Sequence, residues 1–314
     1  MSPAMSPRWL VARQSALFVL RERTVALLGA MFIVLVLISA WLGWSATATV
    51  DGIYQQATVF LKAAGRTVPP NPVFDMSPLF LMRNMSVYVA LIGALSAIVI
   101  GNRLVCLDRK AGVLPLIGIR PLSQGDYAIG KIAALGALIA GLSIVAAVAA
   151  TATFLVLPSI QLSLLQWAQL VGFMVVSAVY MAIFGLIGLA TGAWSRSETV
   201  GLLLPVTAWL ALTFILPQLT ANLNPTAAIN PISALAAPPD IGFFHWTAQI
   251  LGPFSLADSF KFASARLLDY LPPDISPPSF IPPFLDLLLA LVAATALAWR
   301  SLTGLAMTQG DYNV

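Results

Sequence analysis

Three groups of side chains in this sequence have the types and spacing to do chemistry. Gly125, Gly130 and Lys131 match the G-x-x-x-x-G-K spacing of a phosphate-binding loop. That chemistry also needs a hydroxyl after the lysine to hold magnesium, a strand before the loop and a solvated helix behind it. Ile132 stands in the hydroxyl position, nothing strand-like precedes Gly125, and an almost wholly apolar run follows Lys131. The match reads as coincidence, and ATP hydrolysis is not expected of this chain. Met76, Met82 and Met85 form the second group, since clustered thioethers can hold Cu(I). Methionine is equally an apolar filler. The third group is the lone His245, in the run Phe243-Phe244-His245-Trp246, and the lone Cys106. One histidine and one cysteine exclude an intramolecular disulfide, a multi-thiolate centre, bis-histidine haem ligation and most zinc catalysis. His245 reads as part of an interfacial aromatic belt and Cys106 as a small apolar residue. There is no His-Glu motif and no pair of carboxylates within an apolar run, so an intramembrane enzyme lacks its residues.

The elements that must position any such group follow from composition. Hydrophobic residues make up 59% of the 314 and charged residues 9%, with mean hydropathy +0.91. A soluble domain carries about 25% charged residues, so this chain has too few to solvate a surface. It reads as an all-α integral membrane protein. Runs of about 20 apolar residues mark spans, predicted near 24–44, 86–106, 129–157, 165–192, 200–218 and 282–300. The third and fourth are long enough to tilt or to project beyond the bilayer. By these boundaries the span interiors hold no Asp, Glu, Lys, Arg or His, apart from residues near the ends such as Arg103 and Asp286. Intramembrane charges usually mark ion or proton pathways. Their scarcity argues against ion coupling and favours apolar or amphipathic cargo, or a chain that transmits force.

Lys and Arg collect on cytoplasmic loops, which accounts for the net charge of +4 without nucleic acid. With both termini inside, the inner side holds Arg8, Arg13, Arg21, Arg23, Arg103, Arg109, Lys110, Arg120, Lys131, Arg196 and Arg300. The outer side holds only Lys62, Arg66, Arg83, Lys261 and Arg266. Both termini, including the tail 301–314, are therefore expected in the cytoplasm. Residues 45–48 resemble a signal-peptide cleavage site, but the first apolar run exceeds the roughly 7–15 residues of a secretory signal. It is read as a signal anchor. Residues 1–23 carry Trp9, Phe18 and four arginines and are expected to lie along the inner interface. The segments 45–85 and 219–281 contain predicted short helices and many prolines, and together suggest a small helical extracytoplasmic cap.

Several residues stand out as mechanical rather than chemical. Gly188 and Gly192 form a G-x-x-x-G in the fourth span. Gly136 with Ala140, and Ala137 with Gly141, repeat that spacing in the third. Small residues let helices approach closely in lipid, within the chain or between subunits. Pro205 in the fifth span frees a backbone carbonyl and reads as a hinge or as fixed shape. The basic, turn-rich loop 107–128 separates the second and third spans. Gly112, Gly118 and Pro121 bound a short stiff element there, and Arg120 with Asp126 offers charged contacts. The plain alternative is a solvated loop whose charges set topology.

This loop resembles the cytoplasmic loop of ABC-2 type exporter permeases. The resemblance lies in Asp108-Arg109, Gly112, the apolar run Val113 to Ile119, Pro121-Leu122-Ser123 and Gly130-Lys131. It continues through GLIGLATGAWSRSETVGLLLPVTAWL at 185–210 and, with six spans, covers nearly the whole chain. Asp108 stands where the family commonly has Glu, and Gln124 where it has a basic residue. Among subfamilies the chain looks most like permeases linked to multicopper-enzyme maturation. The resemblance implies six transmembrane helices of ABC-2 exporter type in the inner membrane. It implies two cytoplasmic ATPase subunits that bind the ATP and magnesium, and a second permease copy or paralogue. It also gives Asp108, Arg109, Gly112, Arg120, Pro121, Ser123 and Asp126 a role in ATPase coupling. The expected function is outward movement of a substrate driven by those subunits. The alternative is a mechanotransmitter that drives an extracytoplasmic partner, for example in copper-enzyme maturation.

Overall fold

The protein is described by a computed structural model over residues 6–71, 77–110, 122–156, 162–235, 239–272, 275 and 281–305. Every regular element among these residues is helical. Helix α1 (Pro7–Leu20) starts on a proline, whose fixed φ suits a first turn. It buries Ala12, Ser15 and Val19 along one narrow stripe and leaves Trp9, Leu10, Leu17 and Phe18 exposed. Helix α2 (Arg23–Ala63) has 41 residues. At 1.5 Å per residue it is about 60 Å long, twice the hydrocarbon thickness of a bilayer. The helix runs on past the predicted end of the first span near 44, because no proline interrupts it and Gly43 and Gly52 are accommodated within it. Its tip is braced where Tyr54 Oη donates to the Pro69 carbonyl (2.8 Å) and Asn71 Nδ2 donates to Asp51 (2.7 Å). Gly65, at φ +67°, then turns the chain.

Helix α3 (Pro78–Arg109) begins well before the predicted start near 86. A 3₁₀ turn (Pro78–Met82) and a π turn (Val89–Gly93) lie within it. Met82 and Met85 are therefore core residues, almost fully buried, rather than an external thioether cluster; Met76 lies outside the described residues. Helices α4 (Gln124–Val156), α5 (Leu164–Trp194) and α6 (Glu198–Ala221) follow, the last with a π turn at Ala211–Ile215. Short helices α7 (Pro225–Ile229), α8 (Gly242–Leu251) and α9 (Leu256–Leu267) precede α10 (Pro283–Thr303). Six helices, α2 to α6 and α10, are long and apolar enough to cross a membrane. They leave Leu27, Trp41, Val148, Leu155, Leu203 and Val292 exposed on the bundle's outside. Such a surface suits lipid, and the protein is a multi-pass membrane protein by architecture.

Helix α5 is the hub, packed on α3, α4, α6, α9 and α10. Its capping box at Ser163 and Gln166 fixes the start. Glycines set its distance from α3. A Cβ at Gly188 would collide with the Ile98 carbonyl, one at Gly101 with the Gly185 carbonyl, and one at Gly192 would crowd Asn102. The G-x-x-x-G motif is thus an intrachain seam. The small residues of α4 behave differently: Gly136 and Gly141 meet nothing within 4 Å and face outward.

The segment predicted as an outer cap is partly folded back into the bundle. Thr247 of α8 donates to the Leu219 carbonyl of α6 (2.7 Å). A 3₁₀ turn at Gly252–Phe254 then reverses the chain into α9. Phe260 of α9 stacks on Tyr180, near the middle of the 31-residue α5, with ring centroids 4.4 Å apart. Nearly every residue of α9 is buried. Its sequence, LADSFKFASARL, falls in the segment expected as an extracytoplasmic cap; burial is tolerated because Asp258 and Lys261 pair with each other.

Candidate functional site

Four elements converge where α3 ends and α4 begins, on either side of residues 111–121. Tyr127 and Lys131 stand one turn apart on α4, so both side chains face the same neighbour. Lys131 Nζ lies 2.6 Å from Asp108 Oδ2 and donates to Ser15 Oγ of α1 (2.9 Å) and to the Leu104 carbonyl of α3 (2.6 Å). An ammonium has three N–H donors, and all three are satisfied here at 1% exposure. Tyr127 Oη donates to the same Asp108 oxygen at 2.9 Å. Gly130, the second glycine of the apparent phosphate loop, lets α1 pass: a Cβ there would press on Val11 and the Arg8 carbonyl. That motif is a helix-packing device.

The flanking charges extend the brace. Arg109 donates to the carbonyls of Ala193 (2.6 Å) and Ser195, closing the C-terminus of α5 where a cation also suits the helix dipole. Arg103 pairs with Glu198 at the start of α6 and lies 3.8 Å from Glu22, between α1 and α2. Ser123 accepts from the Asp126 backbone N–H (3.0 Å) and donates to its carboxylate (2.8 Å), which caps α4. Of the predicted coupling residues, Asp108 and Arg109 are thus engaged within the chain, while Ser123 and Asp126 cap α4 at its exposed start. Gly112, Arg120 and Pro121 lie outside the described residues. Sequence reasoning missed Lys131, Tyr127, Arg103, Glu22 and Glu198 as partners. The i, i+4 spacing of Tyr127 and Lys131 was the available signal.

Between the two ends of the bundle, Pro205 turns out to be repaired rather than loose. It cannot donate to the Gly201 carbonyl one turn earlier. Thr191 Oγ1 of α5 lies 2.9 Å from that carbonyl, sharing its one proton with the Ile187 and Gly188 carbonyls of its own helix at 3.0 and 3.1 Å, and α6 continues through the proline. The π turn of α3 is tied in a similar way, Trp209 Nε1 donating to the Ala90 carbonyl at 3.0 Å.

The far end holds a second polar cluster, on α9, outside the predicted spans, and on Asp286 near the start of α10. Asp258 and Lys261 on α9 are both 5% exposed and 3.1 Å apart, and Ser255 donates to the other Asp258 oxygen at 2.6 Å. Ser259, on the adjoining face, donates to buried Asp286 of α10 at 2.6 Å. The hydroxyls of Thr213 and Tyr180 are neighbours, yet neither meets a well-aligned hydrogen-bond partner among the described residues. At the rim, the Arg83 guanidinium sits 3.9 Å above the Phe80 ring, which meets Tyr270 edge-on. Burial pushes the Tyr270 phenol up to about 12, against the opposing influence of Ser86 and Arg83. His245 is exposed on α8. No family model matches this chain, and no curated protein matches it.

Proposed function

We propose that this chain is the membrane-spanning permease subunit of an ABC transporter of ABC-2 type. It couples ATP hydrolysis in separate cytoplasmic subunits to outward movement of a substrate. The observation that carries this reading is the saturated brace around Lys131. A loop that receives force is useful only if its two roots move as one body with the helices behind them. Here Asp108 at one root and Tyr127 and Lys131 at the other are joined directly, and Ser15 adds α1. Removing one partner from a buried ion pair costs about 3–5 kcal/mol, so the roots do not separate under thermal agitation. Arg109 and Arg103 pass the same displacement to the ends of α5 and α6.

On this reading residues 107–128 are the coupling element, and Arg120 and Asp126 contact the ATPase. The chain binds neither ATP nor magnesium itself. The test is copurification from mild detergent, with ATP hydrolysis measured on the complex. Arg120→Glu combined with Asp126→Lys is expected to lose the ATPase. Unchanged assembly and unchanged hydrolysis in that double variant would end the coupling role.

A further inference from the structure

Helix α1 is apolar on two sides, and the bundle covers only one of them. Ala12, Ser15 and Val19 are buried; Gly130 of α4 makes room for Val11, and Ser15 accepts from Lys131. Away from that stripe, Trp9, Leu10, Leu17, Phe18 and Leu20 are 42–58% exposed. A helix already seated by its inner stripe has no further use for such a face unless lipid or a partner covers it. Arginines share the outward side. Leu10, Arg13, Leu17 and Arg21 follow one another at spacings of three, four and four, which puts them on one line along the helix. Arg8 near the start of α1 and Arg23 at the start of α2 are exposed as well. None of these four guanidiniums enters an ion pair among the described residues. Glu22, the one carboxylate before Asp51, faces Arg103 instead.

Position narrows what can answer this pattern. Only Arg21 and Glu22 separate α1 from α2, whose exposed Leu27 begins the lipid-facing surface of a crossing helix. The arginines of α1 therefore stand where the chain enters the membrane. The anions within reach at that depth are phospholipid phosphates, and apolar side chains between the arginines reach the acyl chains. A guanidinium fork matches phosphate with two parallel hydrogen bonds, and its stem lies along apolar surface. We propose that α1 is a binding surface for anionic phospholipid. Arg13 and Arg21 bond head-group phosphates, Arg8 and Arg23 add to the attraction, and Leu10 and Leu17 lie among the acyl chains. A zwitterionic lipid offers the same phosphate but carries an ammonium beside it, which unpaired arginines repel. A nucleic acid or an acidic peptide would answer the charges and leave the leucines in water. Because Ser15 and Gly130 seat α1 on the Lys131 brace, lipid held there also grips the roots of the loop 107–128. Nothing in this binding requires an ATPase partner.

The test uses the full chain alone, in phosphatidylcholine nanodiscs doped with a photoprobe, so its outcome is independent of whether an ATPase copurifies. The probe is either phosphatidylglycerol or phosphatidylcholine, each with a diazirine on its acyl chain, and labelling of residues 7–23 is quantified by mass spectrometry. Phosphatidylglycerol is expected to label them about fivefold more, the worth of one arginine at an anionic membrane surface. High salt is expected to shrink that ratio. Arg8→Gln, Arg13→Gln, Arg21→Gln and Arg23→Gln combined should bring it to about one, and Arg13→Gln with Arg21→Gln should account for most of the fall. Leu10→Ser with Leu17→Ser should lower labelling by both probes and leave their ratio unchanged. Every variant is checked first for wild-type elution and unfolding temperature in neutral detergent; where the fourfold variant fails that check, the Arg13 and Arg21 pair decides. Equal labelling by the two lipids, or a ratio unmoved by glutamine in folded variants, would overturn the proposal. Suppression by inorganic phosphate, at an ionic strength where chloride has no effect, would overturn the lipid and leave a soluble-anion site. Binding of a fluorescent oligonucleotide that disappears in the same variants would overturn it in favour of nucleic acid.

Discussion

Lys131 and Lys261 are both buried and both paired with an aspartate, yet their surroundings differ in one countable respect. Lys131 meets three acceptors, from α1, α3 and the end of α3, at 2.6–2.9 Å. Lys261 meets one, three residues back on its own helix. A saturated ammonium fixes the elements that supply its acceptors, because any relative motion breaks several bonds at once. An unsaturated one fixes little and keeps donors in reserve. The same residue type therefore serves as a clamp at the loop end and as an open donor at the far end. The distinction rests on the partners' origin rather than on burial, which the two lysines share.

The largest effect that would sharpen this contrast is expected at Lys131. Lys131→Met should lower the unfolding free energy by about 3–5 kcal/mol, since it strands Asp108 and two other acceptors. Adding Asp108→Asn should recover less than half, because Ser15 and the Leu104 carbonyl still lack the partner they had. The equivalent pair at the far end, Lys261→Met with Asp258→Asn, should stay within about 1 kcal/mol of wild type, as neutral replacements of isolated buried pairs often do. Scanning fluorimetry in detergent reads all three. If the two double variants lose stability equally, the clamp and the open site are not different in kind.

A second contrast, between the glycines of the α3–α5 seam and those of α4, predicts a smaller effect. Gly101→Ala places a methyl group against the Gly185 carbonyl in the α3–α5 seam. Backbone does not yield as a flexible side chain would, so a loss of about 1–3 kcal/mol is expected. Gly136→Ala meets open space and should be neutral or slightly stabilising, since alanine is the better helix former. Unfolding temperatures of the two variants, measured side by side, check this. Equal losses would mean that α4 is also packed there, by a subunit contact.

How much of this was legible in the residues differs between spans and connections. Apolar run length picked out all six helices that are long and apolar enough to cross a membrane, because a bilayer imposes that length directly. Helix ends outside the apolar run were misplaced, as with the continuation of α2 to Ala63 and the start of α3 at Pro78. Polarity marks where a membrane stops, whereas helices stop at caps and breakers. The burial of α9 was illegible for a different reason. Asp258 and Lys261 fall in a segment expected outside the spans, and only the fold pairs them with each other and sets Phe260 on Tyr180. At the loop end, Asp108 and Arg109 stood out as charges, but their partners are 19 to 86 residues away and left no local trace.

The smallest effect tests the link between the two ends. Helix α6 runs from Glu198 in the loop-end brace to Thr213 in the far polar cluster, and Pro205 interrupts its ladder midway. Thr191 reaches the Gly201 carbonyl across the proline and so ties α6 to α5 at that point. Thr191→Val keeps the volume and removes that donor. Hydrogen bonds between helices within membranes average about 0.6 kcal/mol, so a stability loss of that order is expected, detectable as a small fall in unfolding temperature. The more telling readout is hydrogen exchange at residues 201–206. Faster exchange there in Thr191→Val, with the ends of α6 unchanged, makes Thr191 the splint across the proline. Unchanged exchange would mean that α6 is held straight by packing alone, and the two lysine sites would then be joined through α5 only.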